Sequence, residues 1–394
     1  MKQVIGGEDL INSFISLRDS CDNGYFHYSY GKRDALLIFS PEIVNEVLVN
    51  KQNSFSRGIV FLKMKNFFGN GLIVSEDPEH ITNKRMLQGS FSKKIVDDYQ
   101  TIINNECNAS FENLEEKGFS LSNLADKVAF DCVAKCFIGE DVPSEYISAY
   151  HDISYKISNI PRLVFSTEET INFSPVRNFI KDIILQSNVQ DNLLWSMINS
   201  DMNTDQITDE IITILGAGFE TTSALISWTL INLYNNDDVL QKCREDDSMI
   251  DKAIKETLRT NPPAYFTTRT ASNDIDLSGI TIKQGTNIFI SQYVTHRDKK
   301  YYLDPDNWNP ERWSKQFEKS LPRGAYFPFG MGSKKCIGEY FSIMVAKTFI
   351  SLFINRYDFK IIDKDIKPKY LVSMIPDSPV TTITNNLFDS CSNS

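Results

Sequence analysis

Residues 329–338 read Phe329-Gly330-Met331-Gly332-Ser333-Lys334-Lys335-Cys336-Ile337-Gly338, a glycine-punctuated turn that ends on a cysteine and runs into an apolar segment of helical period. Gly332 suits a tight turn and Gly338 a close approach of backbone. A thiol just ahead of a helix meets free backbone N–H groups and the positive end of the dipole, which favour its thiolate. A buried cysteine at a helix start and a nucleophilic cysteine are the competing readings. The chain has only four histidines, His27, His80, His151 and His296, and none is near Cys336 in sequence. That weakens a cysteine–histidine hydrolase without excluding one.

The stretch 208–235 is apolar nearly all round, so a buried central helix is expected there, capped by Thr208 with Asp209 and Glu210 in its first turn. It contains Ala217-Gly218-Phe219-Glu220-Thr221-Thr222. Gly216-x-Gly218 is no dinucleotide fingerprint, because no strand precedes it. Downstream, Glu256-Thr257-Leu258-Arg259 sets a carboxylate and a guanidinium at i, i+3 on a helix over 247–260, and Pro310-Glu311-Arg312-Trp313 follows. Taken alone, the Glu–Arg spacing reads as an exposed surface pair, and Thr221 as a hydroxyl bonding back to its own helix.

In this order and spacing, the Phe-x-x-Gly-x-x-x-Cys-x-Gly loop, the Gly-x-Glu-Thr-Thr stretch and the Glu-x-x-Arg with its later arginine resemble the cytochrome P-450 superfamily of haem-thiolate monooxygenases, in the soluble bacterial type. The resemblance runs from His80 to the end and is strongest over 208–345. It implies a mainly α fold, a triangular helical domain with a small β-rich lobe from 25–40, 265–295 and 370–384. It also implies haem b held by Cys336 as the iron ligand, with Phe329, Gly332 and Gly338 around the thiolate and Ala217 and Gly218 on the opposite side, Gly218 leaving a gap over the iron. Thiolate ligation favours O–O cleavage. Glu220 and Thr221 become the proton-relay pair, and Glu256, Arg259 and Arg312 a buried structural triad. His80, Lys84, Arg269 and Lys334 become the groups facing the propionates, although lysine at 84 and 334 lacks arginine's planar fork.

The activity so implied is insertion of one atom of O2 into a lipophilic or aromatic small molecule, plausibly in secondary metabolism. Electrons would come from a separate ferredoxin and ferredoxin reductase, with Lys334 and Lys335 near the docking face. Retention of Glu220-Thr221 favours O2 over peroxide as oxidant. The alternatives are a non-catalytic haem sensor or carrier, or oxidative coupling, ring closure or desaturation on the same scaffold. By the same analogy the substrate pocket draws on Ile59, Phe61, Phe68, Phe219, Phe266 and Met374, while Arg57 either anchors an acid or is structural.

The remaining features fit one domain over 1–394 with a polar tail at 385–394. The chain of 394 residues is 41% hydrophobic, enough to bury a sizeable core, and its 26 Phe and 16 Tyr suit an apolar interior. A net charge of −10 argues against general nucleic-acid binding. Seven cysteines without paired spacing suit a reducing compartment, and Cys132-x-x-x-Cys136 reads as two buried thiols before a metal site. No signal peptide or membrane anchor is expected, so the reading is a cytoplasmic monomer. Tyr25–Phe39 reads as a hairpin turning at 30–34, Ser40-Pro41 as a helix start, and 54–79 as a long irregular loop that packs on the core or lines a pocket. Short helices joined by a reshapeable connection are expected over 142–200.

Overall fold

A computed structural model describes residues 7–387, apart from 22, 31–32, 113, 115–117, 159–172 and 188–189. Residues 159–172 of the expected connection, with Pro161 and Phe165, and most of the polar tail lie outside the described residues. Helices dominate, and the larger ones gather around one helix, Thr204–Tyr234. Its buried face continues almost all the way round, from Ile207 through Leu215, Phe219 and Trp228 to Leu233. Leu121–Val133 lies along it, and Ser174–Gln186, Asp247–Thr260 and Glu339–Arg356 close round the remaining sides. Among the described residues it is the one helix long and apolar enough to cross a membrane, and most of that apolar surface is buried inside the fold.

The start of this helix differs from the expectation. Asn203, not Thr208, is the cap: its side chain accepts from Gln206 N at 3.0 Å, and Gln206 Oε1 accepts from Asn203 N at 2.9 Å. This reciprocal capping box satisfies two orphan donors at once, which Thr208 could not do. Thr208 is fully buried and donates to Thr204 O instead. Asp209 and Glu210 therefore sit a turn inside the helix, where they hold neighbouring segments. Asp209 accepts from Asn70 N at 2.8 Å and pairs with Arg177, while Glu210 accepts from Leu72 N at 2.9 Å and Asn83 Nδ2 at 2.8 Å.

Burial pushes Glu210 up to about 7 despite those two hydrogen bonds. The folded chain thus holds this proton more tightly than the unfolded one. The stability tied to it is present below the ordinary carboxyl value of 4.5 and lost as pH rises through about 7. Between about pH 5 and about pH 8, wild type is expected to lose about 2 kcal/mol relative to Glu210→Gln, read from urea unfolding of both chains. Parallel pH profiles would contradict the assignment.

The β-rich lobe is a five-stranded sheet in the order Tyr25–Tyr30, Arg33–Ile38, Asn287–Ile290, Thr267–Ala271, Phe55–Arg57, antiparallel except where Arg33–Ile38 meets Asn287–Ile290. Its inward side chains, among them Leu36, Ile38, Ile288 and Ile290, form a core of their own with Val44, Val47 and Leu48. The strands near 370–384 pair elsewhere: Pro368–Tyr370 with Met374–Pro376, and Val380–Asn386 between Phe119–Ser120 and Tyr357–Ile361.

The stretch 54–79 is not an irregular loop. Phe55–Arg57 is the edge strand and Ile59–Phe68 a helix bounded by Gly58 and Gly69. Met64 and Phe68, four apart, bury one face against the main core, while Leu62 stays exposed. The flanking glycines that read as loop are the ends of this helix.

Candidate active site

The helix Glu339–Arg356 is anchored by Phe341, Val345, Ala346, Phe349 and Phe353 in the main core, and Gly338 is its N-cap. Ahead of it, Cys336 N donates to Phe329 O at 2.9 Å and Gly330 N to Phe327 O at 2.9 Å, closing the loop on itself. Gly332 has φ +70°, and a Cβ there would lie 1.9 Å from Leu48 O. Only glycine lets the turn rest on the short helix of the β lobe. Ser333 N donates to Gln52 Oε1 at 2.7 Å, and Lys84 Nζ reaches Ser333 O at 2.6 Å and Lys335 O at 2.8 Å. Lys84 thus ties its own helix, Glu79–Leu87, to the backbone on both sides of Lys334.

The geometry holds the thiol in place, but it does not lower its pKa as expected from the helix start alone. Burial pushes the Cys336 thiol up, and the Gly338 N–H and the nearby Lys84 and Lys335 charges offset this only in part. Yet Cys336 is one of the exposed residues of the chain. At such a site a bound cation would complete the stabilisation of a thiolate.

The loop is braced from below by Glu256. Its carboxylate is fully buried and takes five donors: Arg259 Nε and Nη2, both at 2.9 Å, Arg312 Nε at 2.8 Å, Trp313 Nε1 at 2.8 Å and Asn309 N at 2.9 Å. Arg259 binds bidentately and spends its remaining donors on His296 O, Pro305 O and Asn307 O. Trp313 and Asn309 are members that the Glu-x-x-Arg spacing could not disclose. His296 was a bare count in the sequence. Here it is fully buried and accepts from Phe327 N at 2.9 Å, joining the arginine cluster to the cysteine loop. Burial and the adjacent Arg259 and Arg297 push it down to about 3, so it is a neutral acceptor.

On the central helix, Ala217, Gly218 and Thr221 keep partial exposure in the middle of an otherwise buried element. Ala217 and Thr221 are one turn apart and share a face. Thr221 Oγ1 donates to Ala217 O at 2.9 Å and Thr222 Oγ1 to Gly218 O at 2.6 Å. A hydroxyl has one donor and two acceptor positions, so Thr221 retains its lone pairs for another donor. Gly218 does not simply leave a gap: a Cβ there would lie 2.9 Å from Val133 Cγ2, so its bareness lets Leu121–Val133 pack closely. Glu220 is 6% exposed, and its Oε1 accepts from Ser154 Oγ at 2.9 Å and Ser373 N at 3.2 Å. Burial pushes it up, the two hydrogen bonds and His151 opposing.

A concentration of cations gathers beside the loop. Arg57 and Arg269 are direct partners across the antiparallel strand pair, both buried and both pushed down to about 10, chiefly by burial. Like charges directly opposite destabilise a sheet. Arg57 is satisfied by Ser75 O, at 3.1 Å, and Leu72 O, at 2.9 Å, which makes it structural. Arg269 reaches only Thr267 Oγ1 and Thr268 O, and among the described residues no carboxylate pairs with it. His80 is buried with Nδ1 unpartnered, 3.5 Å from Asp77 Oδ1 without a hydrogen bond. It departs from the expected cation, because burial and the Lys334 and Arg57 charges push it down to about 3. Lys334 Nζ pairs with Asp77 Oδ1 at 2.8 Å, and Lys335 with Glu339.

The expected pocket residues divide. Phe219 is fully buried, its ring edge-on to Phe130, Tyr150 and His151, because two residues past Ala217 is about 200° round the helix. Met374 is fully buried as well, its carbonyl accepting from Trp228 Nε1. Phe68 is buried against the main core, Phe61 lies under Arg57 at 5.1 Å, and Phe266 is half-buried on Tyr265. The Ile59 side chain lies outside the described residues. Cys132 and Cys136 are buried, and no group of three or more metal-ligating side chains gathers among the described residues.

A family model described as Cytochrome P450 matches residues 2–180 and 158–383. The chain belongs to the cytochrome P450 family. Its P450 relatives include the cyclooctatin synthase of Streptomyces melanosporofaciens, 26% identical over 83% of this chain and 81% of that protein. The pentalenene oxygenase of Streptomyces avermitilis is 22% identical over 87% and 86%. Human cytochrome P450 3A5 is 33% identical over 38% of this chain and 33% of its own length. The crystal structure of the cytochrome P450DA heme domain superposes with a TM-score of 0.85 at 19% identity, covering 98% of this chain and 95% of that one.

P450s are monooxygenases that carry haem b. The donor set here fits that group. An exposed cysteine offers a soft ligand to iron, and Arg269, which among the described residues has no carboxylate partner, and the unpartnered Nδ1 of His80 offer buried donors to carboxylates.

Proposed function

We propose that this P450 inserts one atom of O2 into a lipophilic terpenoid of secondary metabolism, with electrons delivered by a separate ferredoxin and ferredoxin reductase. The terpene-oxidising Streptomyces relatives support the substrate class. The observation that carries the reading is an exposed Cys336 in a chain whose central helix, buried nearly everywhere else, keeps a partly exposed Ala217–Thr221 face. A single catalytic unit, a monomeric state and a cytoplasmic setting belong to the same reading.

When bound, haem b supplies the redox-active iron on which O2 is reduced. Cys336 would be its protein ligand, with Phe329 O and the Gly338 N–H fixing the cysteine on either side. Arg269, His80 and Lys84 would face the propionates: Arg269 as charge, His80 as a neutral donor. Lys84 has two carbonyls already, and Lys334 has Asp77, so both would hold the loop first.

Thr221, its proton committed to Ala217 O, would accept a hydrogen bond from a protonated group on the open face and steady it. Glu220 would hold the proton to be passed on. Its Oε1 takes both observed hydrogen bonds, leaving Oε2 to carry the acid proton, and burial keeps the neutral form accessible. The test is turnover of the purified protein with a surrogate ferredoxin system against a panel of terpenoid hydrocarbons and alcohols, after a Soret-shift binding screen. Hydroxylated product with NADH consumption is expected. Binding without any product would favour the sensor or carrier reading.

A further inference from the structure

Glu220 is buried, so the proton it gives up has to be replaced through a neighbouring group. Ser154 donates to it from the helix Glu145–Ser158, and Ser373 N covers it from the strand side. One turn earlier on that helix is His151, whose side chain is 31% exposed and whose ring lies 5.7 Å from that of Phe219, the neighbour of Glu220. His151 Nε2 lies 2.9 Å from Asp126 Oδ2. Asp126 Oδ1 accepts from Ser223 Oγ, on the central helix one turn past Glu220. Ser223 and Asp126 thus orient a partly exposed imidazole on the helix whose Ser154 holds the buried acid. This cluster is separate from the Cys336 loop, the arginine triad and the propionate-facing groups.

We propose that His151, oriented by Asp126 and Ser223, is the solvent-side group through which Glu220 exchanges protons with bulk water. This rests on Glu220 being the proton-holding residue of the reading above. Only a proton moves: the imidazolium gives it to the Glu220 carboxylate, becomes neutral imidazole, and regains it from water. The charged groups facing His151 are Asp126 from Leu121–Val133, Glu220 from the central helix and Asp152 from its own helix. Burial lowers the imidazole, but the Asp126 hydrogen bond and these three charges outweigh it and push His151 up, keeping it protonated further towards neutral pH.

The test has two arms. With only four histidines in the chain, the His151 ring signal of 13C-histidine-labelled protein can be assigned by its loss in His151→Gln. Glu220→Gln removes one of the carboxylates that raise His151, so the His151 midpoint should fall, by about half a unit or more. An unmoved midpoint would overturn the proposal, because the two groups would then not sense each other. In the holoenzyme, His151→Gln at wild-type haem content should lower product formed per NADH several-fold and flatten its pH dependence, and Asp126→Asn should move the inflection to lower pH. An unchanged pH profile in His151→Gln would also overturn it. If Glu220→Gln and Thr221→Ala leave coupling intact, the relay itself fails. If they uncouple and His151→Gln does not, only the role of His151 fails.

Discussion

Glu256→Ala is expected to yield little folded, haem-loaded protein. The carboxylate takes five donors in a fully buried site, and two of its partners are guanidinium groups with no other acid paired to them among the described residues. Removing one member of such a buried ionic cluster leaves uncompensated charge and costs about 3–5 kcal/mol. That is a large share of the about 5–15 kcal/mol by which ordinary domains are stable. The loss should spread to the active site, because Arg259 also holds His296 O, and His296 Nε2 holds Phe327 N at the base of the cysteine loop. Glu256→Gln keeps the shape but not the charge, and should fall between alanine and wild type. Thermal unfolding and the haem-to-protein ratio read both effects, and wild-type values in Glu256→Ala would contradict this account.

Thr221→Ala should leave folding and haem content unchanged while separating electron use from product. The hydroxyl bonds only to Ala217 O within its own helix, so its loss removes no tertiary contact made by that group. What it removes is the acceptor on the open face. Acid–base assistance of this kind is worth on the order of 10²–10⁴ in rate, so product per NADH should fall at least ~10-fold, with hydrogen peroxide making up the difference. Full coupling in the variant would refute the proton-handling role.

The parts of the site that were legible in sequence are those set by local spacing. Glu256 and Arg259 at i, i+3 must share a helix face, and the glycine-rich turn ahead of an apolar helix fixes where Cys336 sits. What spacing cannot convey is register and rotation. Arg57 and Arg269 meet only because two strands 212 residues apart align in one register, and the neutral state of His80 depends on burial and on cations brought in from two other segments, Lys334 and Arg57. The family analogy puts Phe219 in the pocket, but helical rotation turns it towards Phe130 and Tyr150. Gly218 was read for the space it leaves, and the structure uses that space for helix packing against Val133. Two misreadings were avoidable. Asn203-x-x-Gln206 is a capping-box pattern visible in the sequence. Val60, Met64, Phe67 and Phe68 between two glycines already carry a helical period.

The assignment of Cys336 as iron ligand is the centre of the account, and the reduced, CO-bound absorption spectrum tests it most directly. Thiolate ligation requires a strongly red-shifted Soret band in the wild-type protein, lost in Cys336→Ala. Absence of that band from haem-loaded wild type, or its survival in Cys336→Ala, would contradict the assignment.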